Sequence, residues 1–243
     1  LKKLIGAALA AGATMACAGA AQGEVSANIQ LTTNYVFRGV SLSNNNPAVQ
    51  GGFDWNNTDF YAGIWASSLG APKGAPAAPL ELDLYAGWTP VTGPLTWDLG
   101  VIFYNYPDAD NSTNSDFYEL RGSGVFKFNE HWSAGASIYY APSNYGATGR
   151  ARYWEFNGEY AFNDMLHFSG AFGNQQVDHP GGPGTARDDY DTWNIGAILA
   201  WRGFQFDLRY NDTNIKAGAP IEAYTYGPES YDASTVLTIK RQL

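Results

Sequence analysis

The chain has 243 residues, 14 Lys and Arg against 23 Asp and Glu, and a single cysteine. A formal charge of −9 argues against a nucleic-acid binder that tracks phosphates, and one cysteine excludes an internal disulfide framework or a cysteine-based zinc site. Only 15% of residues are charged and 15% are aromatic, yet mean hydropathy is −0.28, which excludes a helical membrane protein and points to many strands with two differently solvated faces.

Lys2 and Lys3 precede an apolar run from Leu4 to about Met15, and small residues follow as far as Gly23. This three-part pattern reads as a cleaved secretory signal over residues 1–23, with cleavage after Ala20, Ala21 or, preferred, Gly23. Cys17 raises a lipoprotein alternative, but Thr14, Met15 and Ala16 lack the leucine usual three positions before a lipidated cysteine. Residues 24–243 are then the mature domain. No later stretch reaches the ~18 apolar residues of a spanning helix, so membrane residence would rest on strands.

From Val25 onward the dominant signal is period two. Val25, Ala27, Ile29 and Leu31 alternate with Ser26, Asn28, Gln30 and Thr32. Comparable alternation recurs at 80–88, 95–103 and 204–211. Successive strand side chains point to opposite faces, so each segment has one apolar and one polar face. The predicted strands are 24–39, 47–56, 60–69, 80–89, 95–106, 116–128, 132–141, 151–162, 166–175, 189–201, 204–212 and 232–242. The parity of 60–69 is open, since Phe60, Ala62 and Ile64 or Tyr61 and Trp65 could carry the apolar face. Short connections alternate with longer ones rich in Gly, Pro, Asn and Ser. That alternation predicts an all-β fold: a single closed antiparallel transmembrane barrel of about twelve strands, with short periplasmic turns and longer extracellular loops. Its outer-membrane lipid would meet the apolar face. Aromatics near strand ends fit interfacial girdles: Trp55, Trp88, Trp132, Tyr140, Trp154, Phe162, Trp201 and Tyr210.

The polar parity would line a lumen. Its charged members are Arg38, Asp54, Glu81, Asp83, Asp98, Glu119, Arg121, Lys127, Glu155, Glu159, Asp207 and Arg209, eight acids against four bases. An acidic lumen favours cations. The same charges can instead pair across strands and fill the bore, as Arg121 with Glu119 or Asp98, and Arg209 with Asp207. Twelve strands lie between side-chain-filled eight-stranded barrels and water-filled barrels of roughly 16–18, so inward loops could plug the pore.

Other chemistry is weakly signalled. Ser169 follows His167 by two residues on one face, without a GxSxG elbow. His131 falls in a short turn, and His179 lies beside Asp178 in a Gly/Pro loop. Asp108, Asp110 and Asp116 form a loose acidic loop without EF-hand spacing. No catalytic residue, cofactor or metal site is assigned from these.

Residues 25–68 contain the string VSANIQLTTNYVFRGVSLSNNNPAVQGGFDW and then FYAGIWASS. Tyr35, Val36, Phe37, Arg38, Gly39, Ser41, Pro47, Ala48, Gln50, Gly51 and Gly52 carry a pattern that resembles the TorF-type porin family of proteobacterial outer membranes. Leu82–Gly87, Asp98–Gly100, Tyr104–Pro107 and Phe117–Glu119 continue the resemblance, which loosens after about residue 120. It implies an outer-membrane barrel with a pore, inserted by the barrel-insertion machinery, and supplies no solute. The chain departs from the usual barrel ending by closing on Leu243 rather than an aromatic, with Arg241 on the apolar parity. The functional expectation is passive diffusion of small hydrophilic solutes or ions with a weak cation preference. A non-conducting structural or partner-binding barrel and a barrel hydrolase are the alternatives. Arg38 is read as lying at the outer end of the first strand, where it would pair with an inward acid or a loop carbonyl and fix the pore mouth.

Overall fold

The computed structural model describes residues 23–70, 78–107, 109 and 114–243. Twelve long strands are labelled in chain order: β1 (Glu24–Thr32), β2 (Ala48–Asn56), β3 (Phe60–Ser68), β4 (Leu80–Trp88), β5 (Leu95–Asn105), β6 (Phe117–Lys127), β7 (Trp132–Ala141), β8 (Ala151–Ala161), β9 (Leu166–Val177), β10 (Asp188–Trp201), β11 (Phe204–Thr213) and β12 (Ser234–Gln242). A two-residue strand, Val91–Thr92, pairs with the start of β5. Every long strand pairs antiparallel with its sequence neighbour, and β1 pairs with β12 from Asn28↔Gln242 to Thr32↔Thr238. The sheet is therefore a closed ring. At the seam Thr238 donates its hydroxyl to Thr32 Oγ1 at 2.9 Å, and the Leu243 amide donates to the Ala27 carbonyl at 2.8 Å.

The two faces separate as the alternation requires. Val25, Ile29, Phe53, Leu84, Ile138 and Ile195 lie exposed on the outer face. Asn28, Gln50, Ser67, Glu81 and Glu119 lie buried on the inner one. Most strands have 9–12 residues, the length that a tilted strand needs to cross a bilayer. Among the described residues no helix is long and apolar enough to cross a membrane.

The parity of β3 resolves: Phe60 and Ile64 face outward, while Trp65 is buried inside and Tyr61 donates to Asp98 Oδ1 at 2.7 Å. All eight girdle aromatics have the outer-face parity; Trp55, Trp88, Trp132, Phe162 and Trp201 gather at the short-turn end. Arg241 sits at that end too, its guanidinium over the Phe204 ring and donating to the Arg202 carbonyl. The expected signal falls on residues that lie, apart from Gly23, outside the described ones.

The first strand is the main correction. It ends at Thr32, not at residue 39. Its ladder with β2 runs from Glu24↔Asn56 to Thr32↔Ala48, and the next partner would be Pro47, which has no N–H to donate. The chain leaves the wall there and turns inward.

Ile195, in the middle of β10, is 66% exposed on the outer face. Ile195→Arg is expected to cost about 2–4 kcal/mol of barrel stability, read as a lowered urea midpoint for the protein refolded in lipid vesicles.

Candidate functional site

The segment between β1 and β2 forms a small hairpin in which Val36 pairs with Ser41 and Phe37 with Val40. Its turn residues, Arg38 and Gly39, have φ of 49° and 82°. Two central residues with positive φ are what a tight two-residue hairpin requires, and glycine adopts that conformation without a steric cost. A polar knot fixes the hairpin's base. Asn34 Oδ1 accepts from the Ser41 and Ser43 hydroxyls at 2.6 and 3.0 Å, and Asn34 Nδ2 donates to Asn45 Oδ1 at 2.8 Å. The Tyr35 amide donates to Ser43 Oγ at 2.9 Å.

The hairpin tip reaches the far wall. Arg38 Nη1 and Nη2 donate to the two oxygens of Glu119 on β6 at 2.8 and 2.7 Å, and Nη1 also donates to Gln175 Oε1 on β9 at 2.9 Å. The guanidinium lies 4.8 Å from the Tyr139 ring centre on β7 and 4.4 Å from that of Tyr153 on β8. Tyr190 on β10 donates its hydroxyl to the Arg38 carbonyl at 3.0 Å, and Tyr104 donates to Glu119 Oε2 at 3.1 Å. In a ring of twelve strands β7 stands opposite β1, so the hairpin spans the bore. A planar, bidentate guanidinium suits such a contact because its geometry is fixed at both oxygens. Arg38 does pair with an inward acid, as expected, but from a loop and not from the wall.

The remaining inward residues are mostly bound to one another. Arg121 meets Asp98 at 3.0 Å, the second of the partners the sequence offered. Arg209 meets Asp207 at 3.1 Å and also donates to Asn194 Oδ1 and Ser169 Oγ. Asp54 accepts from the Tyr85 hydroxyl and, at 3.4 Å, from Asn28 Nδ2. Glu155 accepts from the Tyr153 hydroxyl at 2.8 Å, and Glu159 meets His167 at 2.9 Å. Glu81 accepts from the Tyr35 hydroxyl at 2.7 Å, and Asp83 is buried beside it on the same face of β4. Lys127 is exposed at the short-turn end. One base was missed: Lys240 is buried on the inner face of β12, within Coulombic reach of Asp54. The alternation of Thr238, Lys240 and Gln242 against Leu237 and Ile239 carries that signal. Also missed were the bore tyrosines, whose polar parity was legible but whose hydroxyl partners were not.

The outer mouth is partly closed by an apolar cluster. Val40 from the hairpin, Ile221 and Tyr231 from the 214–233 loop, and Tyr104, Phe117 and Tyr190 from the wall pack together. Asn45 Nδ2 donates to the Glu229 carbonyl at 2.6 Å and ties hairpin to loop. An open cleft remains above the tip, walled by Phe37, Tyr106, Tyr145, Tyr190 and Tyr226.

Residues weighed for catalysis go separate ways. His167 meets Glu159, whereas Ser169 accepts from Arg209. His131 and His179 contact the Ala161 and Thr185 carbonyls, and Asp178 accepts from Arg150. Asp116 accepts from Asn105 Nδ2 and the Tyr106 amide; Asp108 and Asp110 lie outside the described residues. Among the described residues no group of three or more His, Cys, Asp or Glu is set to hold a metal.

Arg38→Ala leaves Glu119 buried without its cation, at an expected cost of about 3–5 kcal/mol. The barrel's unfolding temperature in detergent measures that loss, and Arg38→Lys restores only part of it because an ammonium cannot make the paired contact. In the outer loop, the Gly218 amide and then the Tyr231 hydroxyl hold the Glu222 carboxyl below its usual range. A depressed carboxyl supports the fold above its unfolded pKa and loses that support as pH falls through the folded value. Exchange protection of the Gly218 amide is therefore expected at neutral pH and should vanish below the ordinary glutamate value of about 4.3. Glu222→Gln should lack the pH step.

A family model described as a bacterial protein of unknown function (Gcw_chp) matches residues 16–243. No curated protein matches the chain. Among solved structures, the chain is similar to the NanC porin, at 9% identity over 88% of this chain and 97% of that one, with a TM-score of 0.54. It is similar to the KdgM porin, solved in complex with disordered oligogalacturonate, at 7% identity over 90% and 98% of the two chains, TM-score 0.56. It is also similar to Salmonella typhi OmpF, solved in complex with daunomycin, at 8% identity over 91% and 97%, TM-score 0.52. At these identities the likeness is one of fold, the porin-like outer-membrane barrel. With nearly its whole length matched, the chain belongs to the Gcw_chp family of bacterial proteins of unknown function.

Proposed function

We infer that the protein is an outer-membrane channel for passive diffusion of small hydrophilic solutes or ions, narrowed by the Val36–Ser41 hairpin. The observation that carries this reading is a ring of polar side chains enclosed by an apolar exterior, crossed at one level by a chain segment. A polar interior inside an apolar shell offers small hydrophilic solutes a surface to pass along. The TorF-type resemblance of Tyr35–Ser41 falls on this crossing segment, and the porin-like fold supports the same reading. Export by a cleaved signal and residence in the outer membrane belong to it. Passage would involve no covalent step.

With Lys240 added, the inward set has eight acids against five bases. The excess supports a weak preference for cations. The apolar cluster at the mouth favours a second reading, a closed barrel whose outer loops bind a partner.

Planar-bilayer recording of the refolded protein separates the two. Small unitary steps are expected, with a reversal potential in a KCl gradient on the potassium side. Arg38→Ala should enlarge the step, since its side chain reaches across the bore to Glu119. Silence from both wild type and Arg38→Ala would favour the closed barrel, and a chloride-side reversal potential would refute the charge argument.

A further inference from the structure

Four aromatic rings from four different connections meet above the hairpin tip. Phe37 comes from the hairpin, Tyr106 from the start of the β5–β6 connection, Tyr145 from the β7–β8 loop and Tyr226 from the 214–233 loop, and together they wall the open cleft. The space between its walls is about 580 Å³, part of it open to solvent, a size that small-molecule sites share. Tyr106 and Tyr145 meet edge to face, with 5.4 Å between ring centres and 76° between planes, so they form a corner. Two of these loops are braced. The Thr148 hydroxyl donates to the Tyr145 carbonyl at 2.7 Å and the Gly146 amide to the Asn114 carbonyl at 3.0 Å; the Thr225 hydroxyl, beside Tyr226, donates to the Glu222 carbonyl at 2.8 Å. Gln175, 1% exposed, also lines the cleft. Its Oε1 accepts from Arg38, but its Nε2 has only a long contact, 3.5 Å to the Gln176 carbonyl. A buried amide so poorly engaged calls for an acceptor. Among the described residues Arg38 is the one charged member of the lining, and both its terminal nitrogens are taken by Glu119.

We propose that this cleft binds a neutral carbohydrate ring. A pyranose has flat faces of C–H groups and a rim of hydroxyls. The aromatic corner offers apolar surface to the faces, and Gln175 Nε2 offers a donor to the rim. Charge argues for a neutral ligand. An anionic solute would have to draw Arg38 away from Glu119, and a cationic one would lie against a guanidinium. A flat aromatic solute would fit the walls but leave the Gln175 donor unpaired, a loss that a site built to meet a hydroxyl imposes on any analogue lacking one. Few direct polar contacts and an open side make the binding weak, as suits a solute that must leave again. The inference rests on the channel reading for its purpose, since the cleft lies over the passage, but binding does not require current.

The full refolded barrel is held in a detergent without a sugar headgroup, and saturation-transfer NMR reads the neutral probes methyl glucoside, N-acetylglucosamine and maltose beside gluconate and phenol. Transfer to the ring protons of at least one neutral sugar is expected, saturating in the millimolar range, with gluconate silent and phenol weaker. The double variant Tyr145→Ala/Tyr226→Ala should lower that transfer at least fivefold. Both residues lie in loops outside the strands of the wall, and the heat-modifiable gel shift reports that the barrel has folded. Tyr145→Ala alone, expected to lower the transfer at least twofold, covers the case of a double variant that fails to fold. No transfer to any of the neutral sugars, undiminished transfer in either folded variant, or transfer to gluconate or phenol exceeding that to every sugar would overturn the proposal. A barrel that conducts without binding sugar refutes only the cleft; one that binds sugar but stays silent in bilayers refutes only the channel.

Discussion

A strand in hydrocarbon has no water to satisfy its amides and carbonyls, and that constraint governs this molecule. It is met at the seam, where β1 and β12 exchange main-chain bonds and the Leu243 amide reaches the Ala27 carbonyl. Once the ring closes, side-chain parity acquires a physical meaning. One set of positions faces lipid, the other an enclosed space. A one-residue slip at the seam would carry Ile29 inward and Asn28 and Gln30 outward, so the register is specified by solvent on both faces at once.

The enclosed space then sets its own terms. Twelve strands leave more room than side chains alone fill, and the protein fills part of it with chain. Pro47 ends the β1–β2 ladder, the released segment folds on itself through Arg38 and Gly39, and the tip docks on the opposite wall. A buried ion pair is a weak source of net stability but a strong source of geometry, because a guanidinium and a carboxylate tolerate few other arrangements in a low-dielectric site. Arg38 on Glu119 belongs to that class. Gln175, Tyr104, Tyr153 and Tyr190 complete the shell, each reached from a different strand.

Local alternation made the wall legible. The predicted strands from 47–56 onward differ from the observed ones by no more than two residues at either end, because a lipid-facing strand must be apolar at every second position. Where that demand weakens, legibility does too. Tyr35 and Phe37 continue the alternation of β1 in form, yet they belong to the hairpin; the stop signal was Pro47, just before the partner strand and fifteen residues beyond Thr32. In β3 both parities carry aromatics, and only the neighbours decide that Trp65 packs inward against Tyr35. Pairing within or beside one strand was readable, as with Arg209 and Asp207. The Arg38–Glu119 contact spans 81 positions and half the ring, so no local pattern could name it. Lys240 was readable and passed over, its parity plain in the last strand.

The placement of the hairpin's two ends has a mechanical meaning. A thin-walled tube under lateral pressure fails by flattening into an ellipse, and what resists flattening is a member joined to opposite points of the wall. The stem leaves from β1 and the tip is clamped between β6 and β10. The segment that narrows the bore is thereby also a diametral tie, so undocking the tip would soften the tube's roundness at the same moment as it widened the passage.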